Sequence, residues 1–268
     1  MNLETLTSEV CKIAKEGGNF LAKERKSFNK ERVEEKNAHD YVSYVDKETE
    51  KLLVDRLSQL LPDAGFITEE GTVEFEVKDY YWIIDPLDGT TNYIQDNAPY
   101  CVSIALATAS EILIGVVYEI CRNECFYAWR DGKAYLDGEQ IHVSETDNIN
   151  KAFIGLDLPY NDKDYKPLMN HLIDALYGKV SSIRINGSAA MSMCYVAAGR
   201  FDAWAEAYIN PWDFMAGALI IKEAGGYVTD FTGSLSFFKG HHIIASNSLL
   251  HNFMESLIHP FRNQITGL

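Results

Sequence analysis

Two aspartates, Asp85 and Asp88, stand three residues apart at the end of an apolar run, in the stretch WIIDPLDGTTNY at residues 82–93. Carboxylates held this close repel each other, and the cost of keeping both ionised rises when the strand end that carries them is buried. A divalent cation bound through oxygen ligands removes that cost, and ligation by oxygen alone favours Mg²⁺ over zinc. The stretch therefore predicts a magnesium site.

Two further carboxylates stand at comparable positions. Glu69 lies near the end of the apolar run at residues 65–70, and Asp213 stands at the start of a long helical pattern. In layered α/β proteins the strand ends come together at one edge, where sites are commonly built. We therefore expect these carboxylates to join Asp85 and Asp88 in one acidic cluster, which bound cations would turn into a phosphate-binding pocket.

The residues between and after the two aspartates suit such a site. Pro86 fixes the turn and exposes the Leu87 carbonyl. Gly89 allows close backbone approach, and its N–H together with that of Thr90 can meet a phosphate oxygen. The Thr90 hydroxyl can orient a water molecule. Taken singly, each residue also has an ordinary structural interpretation, as a turn residue or a helix N-cap.

The charge balance argues against some classes of partner. The net charge of -15, from 24 basic and 39 acidic residues, disfavours non-specific nucleic-acid binding and adhesion to an anionic membrane, because both need a basic surface. No apolar run reaches about 18 residues, and the N-terminus lacks the pattern of a secretory signal. The 5 cysteines lack zinc spacing, so we interpret them as buried or incidental thiols. We expect a cytoplasmic protein without nucleic-acid or membrane partners.

Hydrophobic periodicity predicts alternating helices and strands in one continuous αβ body. The β-rich runs at residues 102–142, separated by polar turns, predict an antiparallel meander. Predicted helices lie at residues 6–21, 46–62, 164–177, 188–198, 213–226 and 248–258. Other predicted strands lie at residues 41–46, 65–70, 82–85, 152–159, 181–185, 201–207, 227–231 and 242–247.

Three stretches of the sequence resemble the signatures of the inositol monophosphatase family. They are Glu69 with Glu70, the stretch DPLDGTTN at residues 85–92, and the stretch WDFMAGA at residues 212–218. The members of this family are Mg²⁺-dependent, lithium-sensitive phosphatases, and the resemblance extends over nearly the whole chain. It implies a layered αβαβα sugar-phosphatase fold of the α/β (α+β) class, with a large antiparallel sheet and a smaller mixed sheet.

The resemblance also implies a division of the fold. Residues 1–145 would form an N-terminal half that carries Glu69 and the DPLDGT motif. Residues 146–268 would form a C-terminal half that carries Glu206 and Asp213. The two halves would make one structural unit with the site between them, and two copies of the chain would form a homodimer.

The metal ligands are carried over by position. Glu69, Asp85 and the Leu87 carbonyl would hold the ion that activates the attacking water. Asp85, Asp88 and Asp213 would hold a second ion next to the leaving-group oxygen. The resemblance thus implies two or three Mg²⁺ ions, with Mn²⁺ as an alternative, and Glu69 would help to bind the third.

The catalytic residues and substrate contacts are likewise implied by the resemblance. Thr90, tied to Asp46, would join Glu69 in positioning and deprotonating the nucleophilic water. Glu206 would accept a hydrogen bond from a hydroxyl of the substrate. Alternatively, it lies at the solvated end of a strand and has no role in binding. The implied substrate contacts are Lys36, Asp88, Gly89, Thr90, Gly187, Ser188, Ala189, Glu206 and Asp213.

The leading hypothesis is a Mg²⁺-dependent phosphomonoesterase that acts on inositol 1-phosphate or a similar small polyol phosphate. The sequence TNY at residues 91–93 favours this branch, whereas Asn210 stands where mammalian inositol phosphatases have histidine. Alternatives in the same superfamily are a 3′(2′),5′-bisphosphate nucleotidase, a fructose-1,6-bisphosphatase, an NADP phosphatase and a histidinol-phosphate phosphatase. A non-catalytic binding module would be expected to lack a metal ligand or the catalytic threonine, and none of these is lacking.

Overall fold

The structure, a computed structural model, describes residues 1–28, 33–37, 40–159, 162–235, 238 and 241–261. Within these ranges it confirms every helix that the periodicity predicts and adds one short helix after the DPLDG turn. The helices are α1 (Leu3–Arg25), α2 (Tyr44–Leu60), α3 (Thr90–Gln95), α4 (Asp162–Leu176), α5 (Ala189–Ala197), α6 (Pro211–Glu223) and α7 (His251–Ile258).

A small hairpin and a seven-stranded sheet account for the strands of the first half. The strands are β1 (Val33–Asn37), β2 (Asp40–Ser43), β3 (Gly65–Thr68), β4 (Tyr81–Asp88), β5 (Cys101–Ala107), β6 (Ile112–Glu119), β7 (Glu124–Trp129), β8 (Ala134–Leu136) and β9 (Glu139–Gln140). β1 pairs with β2, and β3 to β9 follow one another in the large sheet. In the large sheet, β3 pairs with β4 in parallel and all other neighbouring strands pair antiparallel. The antiparallel strands β5 to β9 confirm the predicted meander.

The second half forms a five-stranded mixed sheet. Its strands are β10 (Phe153–Leu156), β11 (Ser182–Arg184), β12 (Ala203–Ala207), β13 (Tyr227–Asp230) and β14 (His242–Ser246). They lie in the order β11-β10-β12-β14-β13. β10 runs parallel to both β11 and β12, so these three strands have their carboxyl ends at the same edge of the sheet.

Helices and sheets alternate in five layers, which confirms the αβαβα architecture. α1 and α2 pack on one face of the large sheet, α5 and α6 lie between the two sheets, and α4 and α7 cover the outer face of the small sheet. Because β5 and β6 are covered on both faces, all their residues are buried, and their sequences read as continuous apolar runs.

The start of α2 differs from the prediction. The helix does not begin at Asp46, and the preceding strand does not reach it. Ser43 is the N-cap residue, and its N–H and hydroxyl donate to the Asp46 carboxylate over 2.9 and 2.7 Å. This reciprocal cap starts the helix two residues before Asp46 and holds the Asp46 side chain in place.

Strand β4 continues through the predicted turn and ends at Asp88 rather than at Asp85. Its register with β5 shifts between Asp85 and Asp88. Pro86 lacks the N–H that a regular ladder needs, so an irregularity at this point is expected. The shift leaves both aspartates at the same end of the sheet.

The large sheet ends at Gln140 and the small sheet begins at Phe153. The division of the chain at residues 145 and 146 stays a prediction. In the described ranges, no helix is both long enough and apolar enough to cross a membrane.

Candidate active site

The predicted site residues come together in one pocket of about 700 Å³, to which both sheets contribute. Eleven of them line it: Glu69, Asp85, Leu87, Asp88, Gly89, Thr90, Gly187, Ser188, Ala189, Glu206 and Asp213. Asp46 contacts the site through Thr90. Lys36 lies in β1, and its side chain is outside the described part of the structure.

Asp88 is held by residues from the other half of the chain. Its Oδ2 accepts hydrogen bonds from the Ser188 hydroxyl at 2.5 Å and from the Ala190 N–H at 2.9 Å, with the Cys101 thiol at 3.6 Å. Burial raises the pKa of Asp88 to about 6, while these donors oppose the shift. All of these contacts go to Oδ2, so they leave Oδ1 available for a ligand.

Thr90 is held at the start of α3 by two acceptors. Its hydroxyl lies 3.2 Å from Oδ1 of Asp46 and 3.0 Å from the Leu87 carbonyl oxygen. A hydroxyl has one proton to donate and can also accept. Asp46 is buried, and its other oxygen is occupied by the helix cap, so the carboxylate is a fixed acceptor for Thr90.

Gly89, which precedes Thr90, has a left-handed backbone with φ of 90°. A Cβ at this position would lie 3.0 Å from the Pro99 carbonyl oxygen and 3.3 Å from that of Gly187. Both the backbone conformation and the close approach of neighbouring main chain therefore require glycine here.

Asp85 lies between two other acidic side chains. Burial raises the pKa of Asp85 well above its usual range, and the charge of Glu69 adds to the shift. The charges of Asp88 and Asp213 act in the same direction. The neighbouring carboxylates therefore disfavour the ionised form of Asp85.

Asp213 stands in the first turn of α6. Together with Glu69, Asp85 and Asp88 it forms what we call the acidic group. Oδ2 of Asp213 accepts the Asn210 N–H at 2.6 Å in a reciprocal N-cap. Burial, followed by the charge of Glu69, raises the pKa of Asp213 well above its usual range. The residue is therefore fixed by its own helix terminus, while burial and the neighbouring carboxylates disfavour its ionised form.

The donor chemistry of this group fits a hard divalent cation. In the described part of the chain, no three His, Cys, Asp or Glu side chains already surround a common point as metal ligands. Burial and repulsion from neighbouring carboxylates raise the pKa values of Asp85, Asp88 and Asp213. A cation bound between them would relieve both costs. Only oxygen ligands are offered, as Mg²⁺ prefers.

Glu206, in β12, faces the same pocket without a polar partner. Its Oε2 is enclosed and accepts no hydrogen bond from any described residue. Burial raises the pKa of Glu206 well above its usual range, and the charge of Asp157 adds to the shift. A buried acceptor without a donor is costly, and a ligand hydroxyl would satisfy it.

Two buried acids that the sequence analysis missed fix the loops around the pocket. Oδ1 of Asp157 accepts the N–H groups of Asn186 and Gly187 at 2.8 and 2.7 Å. Glu50 accepts the N–H groups of Glu70 and Thr72, each at 2.7 Å, in the loop that follows Glu69. Asp157 follows an apolar run, as Asp85 does, so the same sequence pattern could have indicated it. Glu50 lies in an amphipathic helix, where its residue type and spacing do not distinguish it from a solvent-facing glutamate.

Three comparisons relate the chain to known proteins. The model of the inositol monophosphatase family matches residues 2–266. "Nus factor SuhB" of Escherichia coli K12 is 36% identical over 237 residues, which cover 88% of this chain and 89% of that protein. The extragenic suppressor protein suhB of Bartonella henselae has a TM-score of 0.87 at 31% identity, covering 95% of this chain and 98% of that one. An IMPase of Thermotoga maritima has a TM-score of 0.86 at 32% identity, with 96% and 97% covered.

Proposed function

The chain belongs to the inositol monophosphatase family, and on this premise we propose that it is a Mg²⁺-dependent phosphomonoesterase acting on inositol 1-phosphate or a similar small polyol phosphate. One observation carries the proposal. Four acidic side chains from distant parts of the chain, Glu69, Asp85, Asp88 and Asp213, line a single pocket with no lysine or arginine among the described lining residues. Only cations make such a pocket attractive to a phosphate ester.

The metal ligands of the proposal are those of the acidic group. Glu69, Asp85 and the Leu87 carbonyl would hold one ion, and Asp85, Asp88 and Asp213 a second, with a third, weaker ion at Glu69. When bound, the ions neutralise phosphate charge, lower the pKa of a water molecule and stabilise the leaving oxygen.

The chain's own residues would orient the reaction. The Thr90 hydroxyl would donate a hydrogen bond to Asp46, which leaves a lone pair of the Thr90 oxygen to accept a hydrogen bond from the attacking water and align it. The Glu69 carboxylate would take the proton of that water as the oxygen attacks phosphorus. The N–H groups of Gly89 and Thr90 would hold a phosphate oxygen, so positioning and charge neutralisation supply the catalysis.

Recognition of the alcohol would depend on Glu206 and on the loop at residues 187–189. The unpartnered Glu206 Oε2 supports a hydrogen bond from a substrate hydroxyl. Asn210 is part of the α6 cap and lines the pocket beside Asp213. An asparagine in place of histidine leaves the choice of polyol open.

The substrate proposal is tested with a panel of phosphate esters compared by kcat/KM. The panel contains inositol 1-phosphate, adenosine 3′,5′-bisphosphate, fructose 1,6-bisphosphate, NADP and histidinol phosphate. We expect inositol 1-phosphate to give the highest value. A higher kcat/KM for any of the others would assign the chain to that alternative branch.

Three family traits belong to the same proposal. We expect inhibition by lithium at millimolar concentration or below, a homodimer in sedimentation experiments and a cytoplasmic location. Activity that is insensitive to lithium would count against the inositol branch.

A Nus factor role is the second candidate, because relatives at 36% identity carry the name "Nus factor SuhB". The net charge of -15 argues against direct binding to nucleic acid, so such a role would act through protein contacts. An Asp88→Asn variant separates the two functions, since it removes a proposed metal ligand and leaves the outer surface of the fold unchanged.

A further inference from the structure

The mouth of the pocket is apolar, in contrast to its acidic interior. Three large side chains that line it are also exposed to solvent: Leu158 at 48%, Ile185 at 52% and Tyr208 at 54%. Leu158 lies two residues after β10, and Ile185 and Tyr208 directly follow β11 and β12. Because β11, β10 and β12 are neighbouring parallel strands, the topology brings these residues to one edge. We call Leu158, Ile185 and Tyr208 the apolar rim.

Tyr208 has a backbone conformation that an aromatic residue rarely adopts. Its φ is 63°, in the left-handed region, where a side chain meets its own backbone. No glycine or asparagine occupies the position, although either would relieve the strain. Such outliers persist where the surrounding structure fixes them, and they concentrate at functional sites.

The strained residue is fixed by His242. The Tyr208 N–H donates to Nδ1 of His242 over 3.1 Å. Burial, assisted by the charge of His241, lowers the pKa of His242 to about 4, so the imidazole is neutral and its Nδ1 is an acceptor at neutral pH. The Tyr208 ring also lies 5.8 Å from that of Tyr165, which is buried and packs against His242.

The polar and apolar parts of the pocket are adjacent. Glu206, with its unpartnered Oε2, precedes Tyr208 by two residues, and both side chains line the pocket. A ligand whose phosphate lies at the acidic group and whose hydroxyl reaches Glu206 would extend toward the rim. A pocket of about 700 Å³ lies within the range that holds ligands well above the size of a simple polyol phosphate.

Building on the proposed phosphatase function, we propose that the apolar rim is an additional subsite at the mouth of the pocket, which binds an aromatic ring where the alcohol of a phosphate ester carries one, with Tyr208 as its main contact. The ring of the alcohol packs against Tyr208, and Leu158 and Ile185 cover its sides. Offset or edge-to-face packing of two aromatic rings stabilises them beyond the burial of their area. Fixing Tyr208 in advance through His242 lowers the cost of ordering it on binding.

The test compares two primary alkyl phosphates with leaving groups of similar reactivity, 2-phenylethyl phosphate and glycerol 1-phosphate. We expect Tyr208→Gly to lower the kcat/KM for the phenylethyl ester, relative to that for the glycerol ester, about tenfold. Glycine suits a left-handed backbone, so the variant is expected to keep its fold, as a thermal melt would show. Tyr177→Ala, at an exposed tyrosine outside the pocket lining, is the matched control.

A second measurement separates this inference from the proposed function. The affinity of 2-phenylethylphosphonate, which is not hydrolysed, is measured by calorimetry with Mg²⁺ present, and we expect Tyr208→Gly to weaken it about tenfold. If neither ester is hydrolysed, the proposed function fails and the calorimetric comparison alone decides on the rim. An unchanged preference together with an unchanged affinity would overturn the inference. If Tyr208→Gly kept both the kcat/KM preference and the affinity but dissociated from a dimer to a monomer, the inference would also be overturned, since the rim would then be a subunit contact.

Discussion

The Ser188 hydroxyl donates a 2.5 Å hydrogen bond to Oδ2 of Asp88, joining two residues that lie 100 positions apart in the chain. Asp88 ends a strand of the large sheet, and Ser188 is the N-cap of α5 in the layer between the sheets. The bond therefore fixes the orientation of a proposed metal ligand from the other half of the fold. It also couples the predicted substrate loop to the acidic group.

Ser188→Ala should weaken Mg²⁺ binding, because a buried hydrogen bond to a carboxylate is worth about 1.5–3 kcal/mol and Asp88 would lose its orientation. We expect the Mg²⁺ concentration for half-maximal phosphate release to rise about tenfold. The loss of the helix cap should also lower the free energy of unfolding by about 1 kcal/mol. Ser188→Thr keeps the hydroxyl and serves as the control. Equal Mg²⁺ requirements for both variants would contradict the role of this bond.

Thr90→Val should lower kcat about 100-fold, because the isosteric side chain cannot align the water that Glu69 deprotonates. The substitution also removes the donor to Asp46, observed at 3.2 Å. Steady-state kinetics at saturating Mg²⁺ measures the effect. Thr91→Val, at the exposed next residue, is the matched control and should keep the wild-type kcat. A Thr90→Val enzyme with near-normal kcat would exclude Thr90 from the reaction.

Asp157→Asn should raise KM more than it lowers kcat. The Asp157 carboxylate accepts four hydrogen bonds, two from the loop at Asn186 and Gly187 and two from Ser192 and Trp204, at 2.9 and 2.8 Å. An amide group cannot accept on both sides, so the loop or the core contact is lost, at a cost of about 1–3 kcal/mol in the free energy of unfolding.

Trp204→Phe is the control for this role of Asp157. It removes one donor on the core side and leaves the bonds to the loop in place. We therefore expect it to lower stability with little effect on KM. If the two variants changed KM equally, Asp157 would act only through the stability of the core.

The acidic group could be predicted from the sequence because its signal is local. Asp85 and Asp88 share one short stretch, and burial at a strand end follows from the apolar run before them. Glu69 and Asp213 could be assigned to the same cluster because one stands near a strand end and the other at a helix start, and the resemblance to a known family adds their roles as ligands. The structure places all four in one pocket.

Other features could not be predicted, because their signal is not in the residue type. Glu50 lies in an amphipathic helix like any solvent-facing glutamate, and only the packing of the next loop makes it an anchor. The left-handed backbone of Tyr208 could not be predicted either, because glycine or asparagine usually occupies that conformation and tyrosine rarely does. The sequence predicts the start of α2 two residues late, because Asp46 and Ser43 are both good cap residues and only their reciprocal bonds in the structure decide between them.

His251 should make the protein less stable as the pH falls from 7 to 5. The ring is buried between the hydroxyls of Thr229 and Ser246, each at 2.9 Å. Burial lowers its pKa to about 4, from about 6.5 in the unfolded chain. The unfolded state therefore takes up a proton over this range while the folded state does not, so the contribution of His251 is present above pH 6.5 and is lost below it.

The loss attributable to His251 is about 2 kcal/mol between pH 7 and pH 5. Urea unfolding of the wild type and of His251→Gln at the two pH values measures it. The variant should lose less stability than the wild type by this amount. Identical losses would show that the imidazole does not resist protonation in the fold.

We propose that Glu69, Asp85, Asp88 and Asp213 work through bound Mg²⁺. This role is tested most directly by phosphate release from inositol 1-phosphate after treatment with EDTA, before and after Mg²⁺ is added back, in the wild type and in Asp213→Asn. Asp55→Asn, at an exposed position on α2, controls for the substitution itself. We predict no release in EDTA, full recovery with Mg²⁺ in the wild type and the control, and a loss of at least about 100-fold in Asp213→Asn. Release that persists in EDTA, or that Asp213→Asn leaves intact, would show that these carboxylates do not act through Mg²⁺.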